Sequence, residues 1–246
     1  AKRNNMMVVL TLDLPDELDR NAFRLWQHKV ANILAPEVIG HPALLGYFLV
    51  DEPQWRGVPV GNLDMAYATF RQGDPYHPVW INEAPRGSLD DHARYSRAAD
   101  IWGVDIYPVG SDTHSGLEDK TLRSVGRYVG WLDRALDNRK PVWMVLQGFS
   151  WKTLDGKDSG VGYPDLAASR YMMYDAVIAG AEGLTWWGMS FIKTAGFWEV
   201  LSATTREARS LTGLLVAGKD MGRAQSDPAV ATRVLECEGR KYVLAA

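Results

Sequence analysis

The sequence predicts an α/β chain built on a parallel sheet: an incomplete (β/α) barrel followed by a short β-hairpin. Three observations lead there. Short apolar, β-branched runs alternate with longer amphipathic ones along most of the 246 residues, and strict alternation of strand and helix implies parallel strands with right-handed crossovers. Polar or aromatic residues recur just after the apolar runs, at Asp51, Glu52, Glu83, Asp105, Gln147 and Trp187, the strand ends where barrel enzymes place their chemistry. No glycine-rich phosphate loop follows any run, which counts against the nucleotide-binding sheet that alternation alone would also fit.

The elements follow in order. Met7 to Leu12 (MVVLTL) reads as a buried parallel strand. Pro15-Asp16-Glu17 opens a helix with acidic residues in its first turn, and Phe23, Trp26, Val30, Ile33 and Leu34 recur at helical spacing. Gly40-His41-Pro42 breaks it, and Leu44 to Val50 (LLGYFLV) is the second strand, running into Asp51-Glu52-Pro53. A helix around Leu63 to Arg71 stops at Gly73-Asp74-Pro75, and Val79 to Asn82 is the third strand, ending in Glu83. Ser88 with Asp90 and Asp91 starts a helix to about Ala99. Ile101 to Ile106 is the fourth strand, and a long helix is expected from Leu117 to Leu136. Pro141 to Leu146 (PVWMVL) is the fifth strand, a helix from Tyr163-Pro164-Asp165 runs to Ala179, and Gly183 to Trp187 is the sixth strand. A last helix covers Glu199 to Leu215, and Val230 to Leu235 with Lys241 to Leu244 form a hairpin across Glu238-Gly239. Residues 1–220 thus read as the partial barrel, and 221–246 as the start of a C-terminal β-domain or a hairpin covering a barrel edge.

Composition narrows the function. A hydrophobic fraction of 46%, a charged fraction of 23% and a net charge of −3 are ordinary for a globular protein. They leave no basic stripe for nucleic acid, and no apolar run is long enough for a membrane span. The single cysteine, Cys237, excludes an internal disulfide and a cysteine zinc cluster. The five histidines lack metal-site spacing, and His41 and His77, each before proline, read as turn residues, so no metal or cofactor is expected. Ten tryptophans are many. Each alone is more often core than ligand, but several at one end of a barrel suit sugar rings, which pack on aromatic faces.

Cleavage of a glycosidic bond needs a carboxylic acid at the leaving oxygen and a second carboxylate as nucleophile or base. Glu52, Glu83 and Asp105, at three strand ends, are the candidates. The plainer alternative for each is a loop carboxylate that caps a helix or pairs with arginine.

The segments HPALLGYFLVDEP (His41 to Pro53), DPYHPVWIN (Asp74 to Asn82), ADIWGVDIYPV (Ala99 to Val109) and GAEGLTWWGMSF (Gly180 to Phe191) resemble, in order and spacing, the clan A glycoside hydrolases. These are TIM-type barrels, and the likeness is to bacterial relatives of the β-galactosidase, agarase and cellulase families. The resemblance implies that the six strands are barrel strands three to eight. It makes Glu52 the general acid/base, with Asp51 in place of the usual Asn, in a hydrolase of β-linked poly- or oligosaccharide. It makes Trp186 and Trp187 the eighth-strand sugar floor, with Trp151, Trp102, Tyr107, Gln147 and Asp51 as further sugar contacts. The seventh strand should end in a nucleophilic Glu, and Gln147 stands there instead. Gln cannot form a glycosyl ester. Three explanations stay open: the alignment is displaced, another carboxylate serves (Asp105 ahead of Glu83), or the barrel binds carbohydrate without cutting it. The chain starts at Ala1 without a signal-peptide pattern. Both ends read as cuts through a longer, extracellular or periplasmic parent. Six strands leave two open edges, for which pairing of two chains into a homodimer is the favoured remedy.

Overall fold

A computed structural model of the chain describes residues 6–15, 19–110, 119–154, 162–225 and 227–246. Six parallel strands, β1 (Val8–Thr11), β2 (Leu44–Asp51), β3 (Val79–Glu83), β4 (Ile101–Asp105), β5 (Val142–Gln147) and β6 (Gly183–Trp187), form one sheet in the order β1-β2-β3-β4-β5-β6. Sequence order without reversal is the order of a barrel wall, whereas a doubly wound sheet reverses at a switch point. The fold is therefore an incomplete (β/α) barrel, with β1 and β6 as its end strands.

Helices fill the crossovers: α1 (Arg20–Ile33), α2 (Pro36–Ile39), α3 (Val60–Gly73), α4 (Leu89–Tyr95), α5 (Ser124–Ala135), α6 (Trp151–Leu154), α7 (Leu166–Ala179) and α8 (Ala195–Ala217). Their starts follow local capping chemistry. The Asp19, Asp165 and Thr194 side chains accept from the first-turn amides of α1, α7 and α8. Ser88 and Asp91 form a reciprocal capping box on α4. The first helix opens at Arg20 rather than at Pro15, because Asp19 is the residue whose carboxylate reaches the Ala22 N–H. Residues 16 and 17 of the expected start, and 117 and 118 of the fifth helix, lie outside the described residues.

The chain divides into two compact units, Ala1–Val104 with Leu132–Val142, and Asp105–Trp131 with Trp143–Ala246. In the first, fully buried Trp26 of α1 meets Phe70 of α3 edge-on at 5.9 Å between ring centroids, and Phe70 tilts onto Tyr47 of β2 at 4.8 Å. Tyr47 thereby marks the face of β2 that points at the helices. At the end of α3, buried Asp74 gathers four donors. The Tyr47 hydroxyl (2.7 Å) and His77 Nδ1 (2.7 Å) reach Oδ2, and the Tyr76 and His77 amides reach Oδ1. Burial alone would raise this carboxyl, but the donors outweigh it and hold it below its ordinary value. The turn roles expected of His77 and His41 hold: the latter's Nδ1 accepts the Ala43 N–H at 3.1 Å.

In the second unit, Arg170 and Tyr174 of α7 both donate to Glu207 of α8. The hairpin strands β8 (Thr232–Cys237) and β9 (Arg240–Ala245) pair antiparallel. A short strand that sequence reading missed, β7 (Lys219–Asp220), joins them in a separate three-stranded sheet. Arg233 anchors this sheet to the Val177 carbonyl at the end of α7 (2.9 Å). Among the described residues no helix is long and apolar enough to cross a membrane.

Buried Asp175 of α7 accepts the Gly126 N–H of α5 at 2.6 Å. Burial pushes its carboxyl from 3.8 up to about 6, against the pull of the Gly126 amide and Arg123. The unfolded chain releases this proton near 3.8 and the folded chain only near 6. Stability from this group is therefore full below pH ~4, falls as pH rises to ~6, and is lower by roughly 3 kcal/mol above that. Asp175→Asn keeps an acceptor for Gly126 without a charge. The variant is expected to unfold at higher urea than the parent at pH 7, with the advantage gone at pH 4. An equal offset at both pH values would show that the charge is not the cause.

Candidate functional site

In the first unit the site begins at the end of β2. β2 pairs with β3 through Phe48↔Trp80, then Val50↔Ile81 and Asp51↔Asn82, with a register slip between Phe48 and Val50. Phe48 and Trp80 meet in a tilted contact, 4.6 Å between centroids and 51° between planes, on the face opposite Tyr47. Side chains alternate along a strand, so Asn82 shares Trp80's face and, across the slip, Asp51 joins it. Asn82 Nδ2 donates to Asp51 Oδ1 at 3.0 Å. Gly103, which faces Asn82 across the β3–β4 pairing, leaves the space they occupy: a Cβ there would lie 2.5 Å from Trp80 Nε1 and 2.6 Å from Asn82 Oδ1.

Glu52 follows at once. Its amide donates to the Asn82 carbonyl (2.8 Å), which extends the sheet by one residue. The backbone then turns through a left-handed φ of 45°, a conformation costly for a side chain with a Cβ and characteristic of functional turns. Glu52 is half-buried. Burial raises its carboxyl above the ordinary value, adjacent Asp51 raises it further, and Arg86 and Arg56 pull back. Asp51 is itself raised by burial, against its bond from Asn82. A carboxyl raised by burial beside one that accepts an amide hydrogen bond is an arrangement that suits a general acid. Trp55, three residues on, is 55% exposed with the Arg86 guanidinium 4.0 Å from its ring centroid.

Glu83 lies elsewhere. One residue beyond Asn82, it takes the helix face of β3 and has no exposed surface. Its Oε2 accepts the Gln54 N–H (3.3 Å) and lies 3.7 Å from Nδ1 of buried His92 on α4. Its carboxylate thus faces the helix layer rather than the face shared by Asp51 and Asn82. Trp102 lies on the helix side too. It alternates with Gly103 onto the helix face and is fully buried, so it offers no stacking face. Asp105 ends β4, half-buried, on the same side of the strand as Gly103.

The second unit holds an aromatic cluster. Trp187 at the end of β6 stacks on Tyr107 (5.7 Å, 25° between planes) and meets Phe149 (5.0 Å) and Phe191 (5.8 Å). Trp151 packs on Phe149 and Tyr107, and its indole N–H donates to the Tyr107 carbonyl (3.1 Å). Trp187 stays 42% exposed. Trp186, its neighbour, takes the opposite face and lines a groove of about 750 Å³ with Trp198, Leu201 and Arg206 of α8. Consecutive strand residues take opposite faces, so of these two Trp187 is the one in the aromatic cluster. Trp187→Ala is expected to weaken binding of a soluble β-linked oligosaccharide about 10–100-fold, on the scale of a buried aromatic contact. Intrinsic-fluorescence titration measures it, and unchanged affinity would remove the cluster from the binding surface.

Gln147, fully buried at the end of β5, spends its amide on backbone. Oε1 accepts the Val109 N–H (2.9 Å), and Nε2 donates to the Val109 (2.9 Å) and Phe149 (3.1 Å) carbonyls. Among the described residues no group of His, Cys, Asp and Glu is arranged to hold a metal ion. The residues that sequence reading missed are Asn82, His92, Trp55, Arg86, Phe149 and Phe191. The first was within reach, since Asn82 directly precedes a strand-end carboxylate.

No family model and no curated protein matches the sequence. Solved structures do. The cold-adapted β-galactosidase from Rahnella sp. R3 is similar with a TM-score of 0.60 at 10% identity, over 90% of this chain and 48% of that one. The class V chitinase from Pseudomonas fluorescens Pf-5 is similar at 0.56 and 14%, over 83% and 82%. The chain has the fold of glycoside hydrolase barrels. A GH2 β-galacturonidase from Eisenbergiella tayi, at 0.54 and 11%, matches over 82% of this chain and 40% of its own. The chain thus spans less than half the length of that enzyme and of the Rahnella β-galactosidase.

Proposed function

We propose that the chain is the barrel portion of a glycoside hydrolase that cleaves β-linked poly- or oligosaccharide, with Glu52 as general acid/base. One observation carries the reading. A half-buried carboxyl sits on a left-handed turn directly after a barrel strand, raised by burial and by an adjacent, amide-bonded Asp51. Asp105 is the second carboxylate to test, as Glu83 lies buried in the helix layer. Incubation with chromogenic β-glycosides and soluble β-glucans or galactans is expected to release reducing ends, and Asp105→Asn to lose most of that turnover. A second reading is a barrel that binds sugar without cutting it. It is favoured by Gln147, the residue that the family resemblance aligns with the nucleophile, whose amide is bonded to the Val109 backbone. Saturable sugar binding with no reducing-end release from any substrate would select it.

A further inference from the structure

We infer that Glu83, with His92, is a positioning pair that holds the turn carrying Glu52. The inference rests on the reading of Glu52 as general acid/base. It starts from where the turn is fastened. The segment after β2 doubles back on itself, with the Arg56 N–H donating to the Glu52 carbonyl (2.9 Å) and the Val58 N–H to the Pro53 carbonyl (2.9 Å). Among the described residues, three hydrogen bonds tether it to β3 or the segment that follows it. The Asn82 carbonyl takes the Glu52 N–H, Glu83 Oε2 takes the Gln54 N–H, and the Tyr95 hydroxyl donates to the Val58 carbonyl (2.9 Å). Arg86 lies over Trp55. Of these tethers, Glu83 is the one whose side chain reaches the backbone two residues beyond Glu52.

His92 is itself held in place. His92 Nε2 stands 2.6 Å from the Arg86 carbonyl, so Nε2 carries the proton and donates it. Burial pushes this imidazole below its ordinary value, while the Arg86 carbonyl and Asp91 pull it up, which leaves the neutral ring. Its Nδ1 lies 3.7 Å from Glu83 Oε2, so the ring packs against the carboxyl group without a hydrogen bond to it. Both side chains are fully buried, so neither has freedom to release the turn. A left-handed φ at a non-glycine residue persists only where its surroundings over-determine it, and this pair supplies part of that constraint. The groups facing Glu52 are Asp51 and Arg56 on its own segment and Arg86 from the segment after β3. Asp13 acts on Asp51.

Three variants of the full chain test the proposal: Glu83→Ala, Glu83→Gln and Glu52→Gln. Loosening the turn exposes Glu52, so its carboxyl falls toward the ordinary value. A general acid works only while protonated, so the basic limb of the pH–rate profile moves to lower pH. Glu83→Ala is expected to shift that limb down by at least about half a pH unit, with kcat lower by about tenfold or more and KM little changed. Glu83→Gln, whose amide can still accept from Gln54 and donate to His92 Nδ1, is expected to restore the limb and most of kcat. A purely structural role would lower the melting temperature of Glu83→Ala and leave the limb in place, which overturns the inference. Loss of turnover in Glu83→Gln at an unmoved limb also overturns it, since that outcome makes the carboxylate itself part of the chemistry. If Glu52→Gln turns over as the parent does, or the parent turns over no glycoside, the reading of Glu52 fails separately. Positioning is then read by NMR titration of the 13C-labelled Glu52 carboxyl: a lower midpoint in Glu83→Ala supports it, and an unmoved one refutes it.

Discussion

Glu52→Gln is expected to lower glycosidase turnover by about 10²–10⁴-fold, the range of a lost general acid, while the melting temperature moves by no more than a few degrees. Two features separate function from stability here. The side chain is half-buried at a strand end, and its backbone, not its carboxylate, makes the contacts that fasten the turn: the N–H to Asn82 and the carbonyl from Arg56. Gln preserves shape and removes the transferable proton. The carboxyl is costly where it stands. Burial and Asp51 penalise its ionised form, and a φ of 45° strains its backbone by roughly 1–3 kcal/mol. Glu52→Gly should relieve that strain, so a variant with no activity and equal or higher thermal stability is the companion result. Differential scanning calorimetry and a chromogenic β-glycoside assay on both variants decide the matter. Unchanged turnover in Glu52→Gln would remove the residue from the mechanism, and a large loss of stability in Glu52→Gly would show that the turn is not strained.

Which features could be read from sequence follows from the range of the interactions that create them. Strand and helix alternation is a local, periodic signal, and so are the caps: Ser88 with Asp91 sits within one turn of α4. The position of Glu52 was legible because an apolar run and Pro53 bracket it. The face that a strand-end residue takes was not. β2 slips register between Phe48 and Val50 against its neighbour, and nothing in LLGYFLVDEP announces the slip. One residue of parity separates Asn82, bonded to Asp51, from Glu83, buried against His92. The same parity separates exposed Trp187 from Trp186 in the α8 groove. Gln147 was hidden for a further reason: its partner is the backbone of Val109, 38 residues earlier. A side-chain contact with a peptide group leaves no trace in residue type.

Gln147→Glu carries the largest expected stability cost, and it tests the two functional readings against each other. If position 147 were a nucleophile site lost by substitution, restoring a carboxylate should be tolerated and should add retaining activity. The observed bonds point the other way. Nε2 donates to two carbonyls, Val109 and Phe149, in a fully buried site. A carboxylate there turns two donors into an oxygen facing two oxygens, and only the Val109 N–H remains as a partner. An unsatisfied buried polar group costs about 1–3 kcal/mol and a charged one more, so a loss of roughly 3–5 kcal/mol at pH 7 is expected. The pH dependence has a definite sign. The new carboxyl would stay protonated in the folded state above the pH at which it ionises in the unfolded chain. The deficit should therefore be smaller near pH 4.5, where one proton can still be donated to a carbonyl, and should grow as pH rises. Urea unfolding of parent and variant at pH 4.5 and 7.5 measures this. A variant as stable as the parent at both pH values, with new turnover of β-glycosides, would show that Gln147 is not a clamp and that the strand end is a vacant nucleophile position. A destabilised variant without turnover leaves Gln147 as the tie between the end of β5 and the loop after β4, and any catalysis by this barrel to Glu52 and another carboxylate.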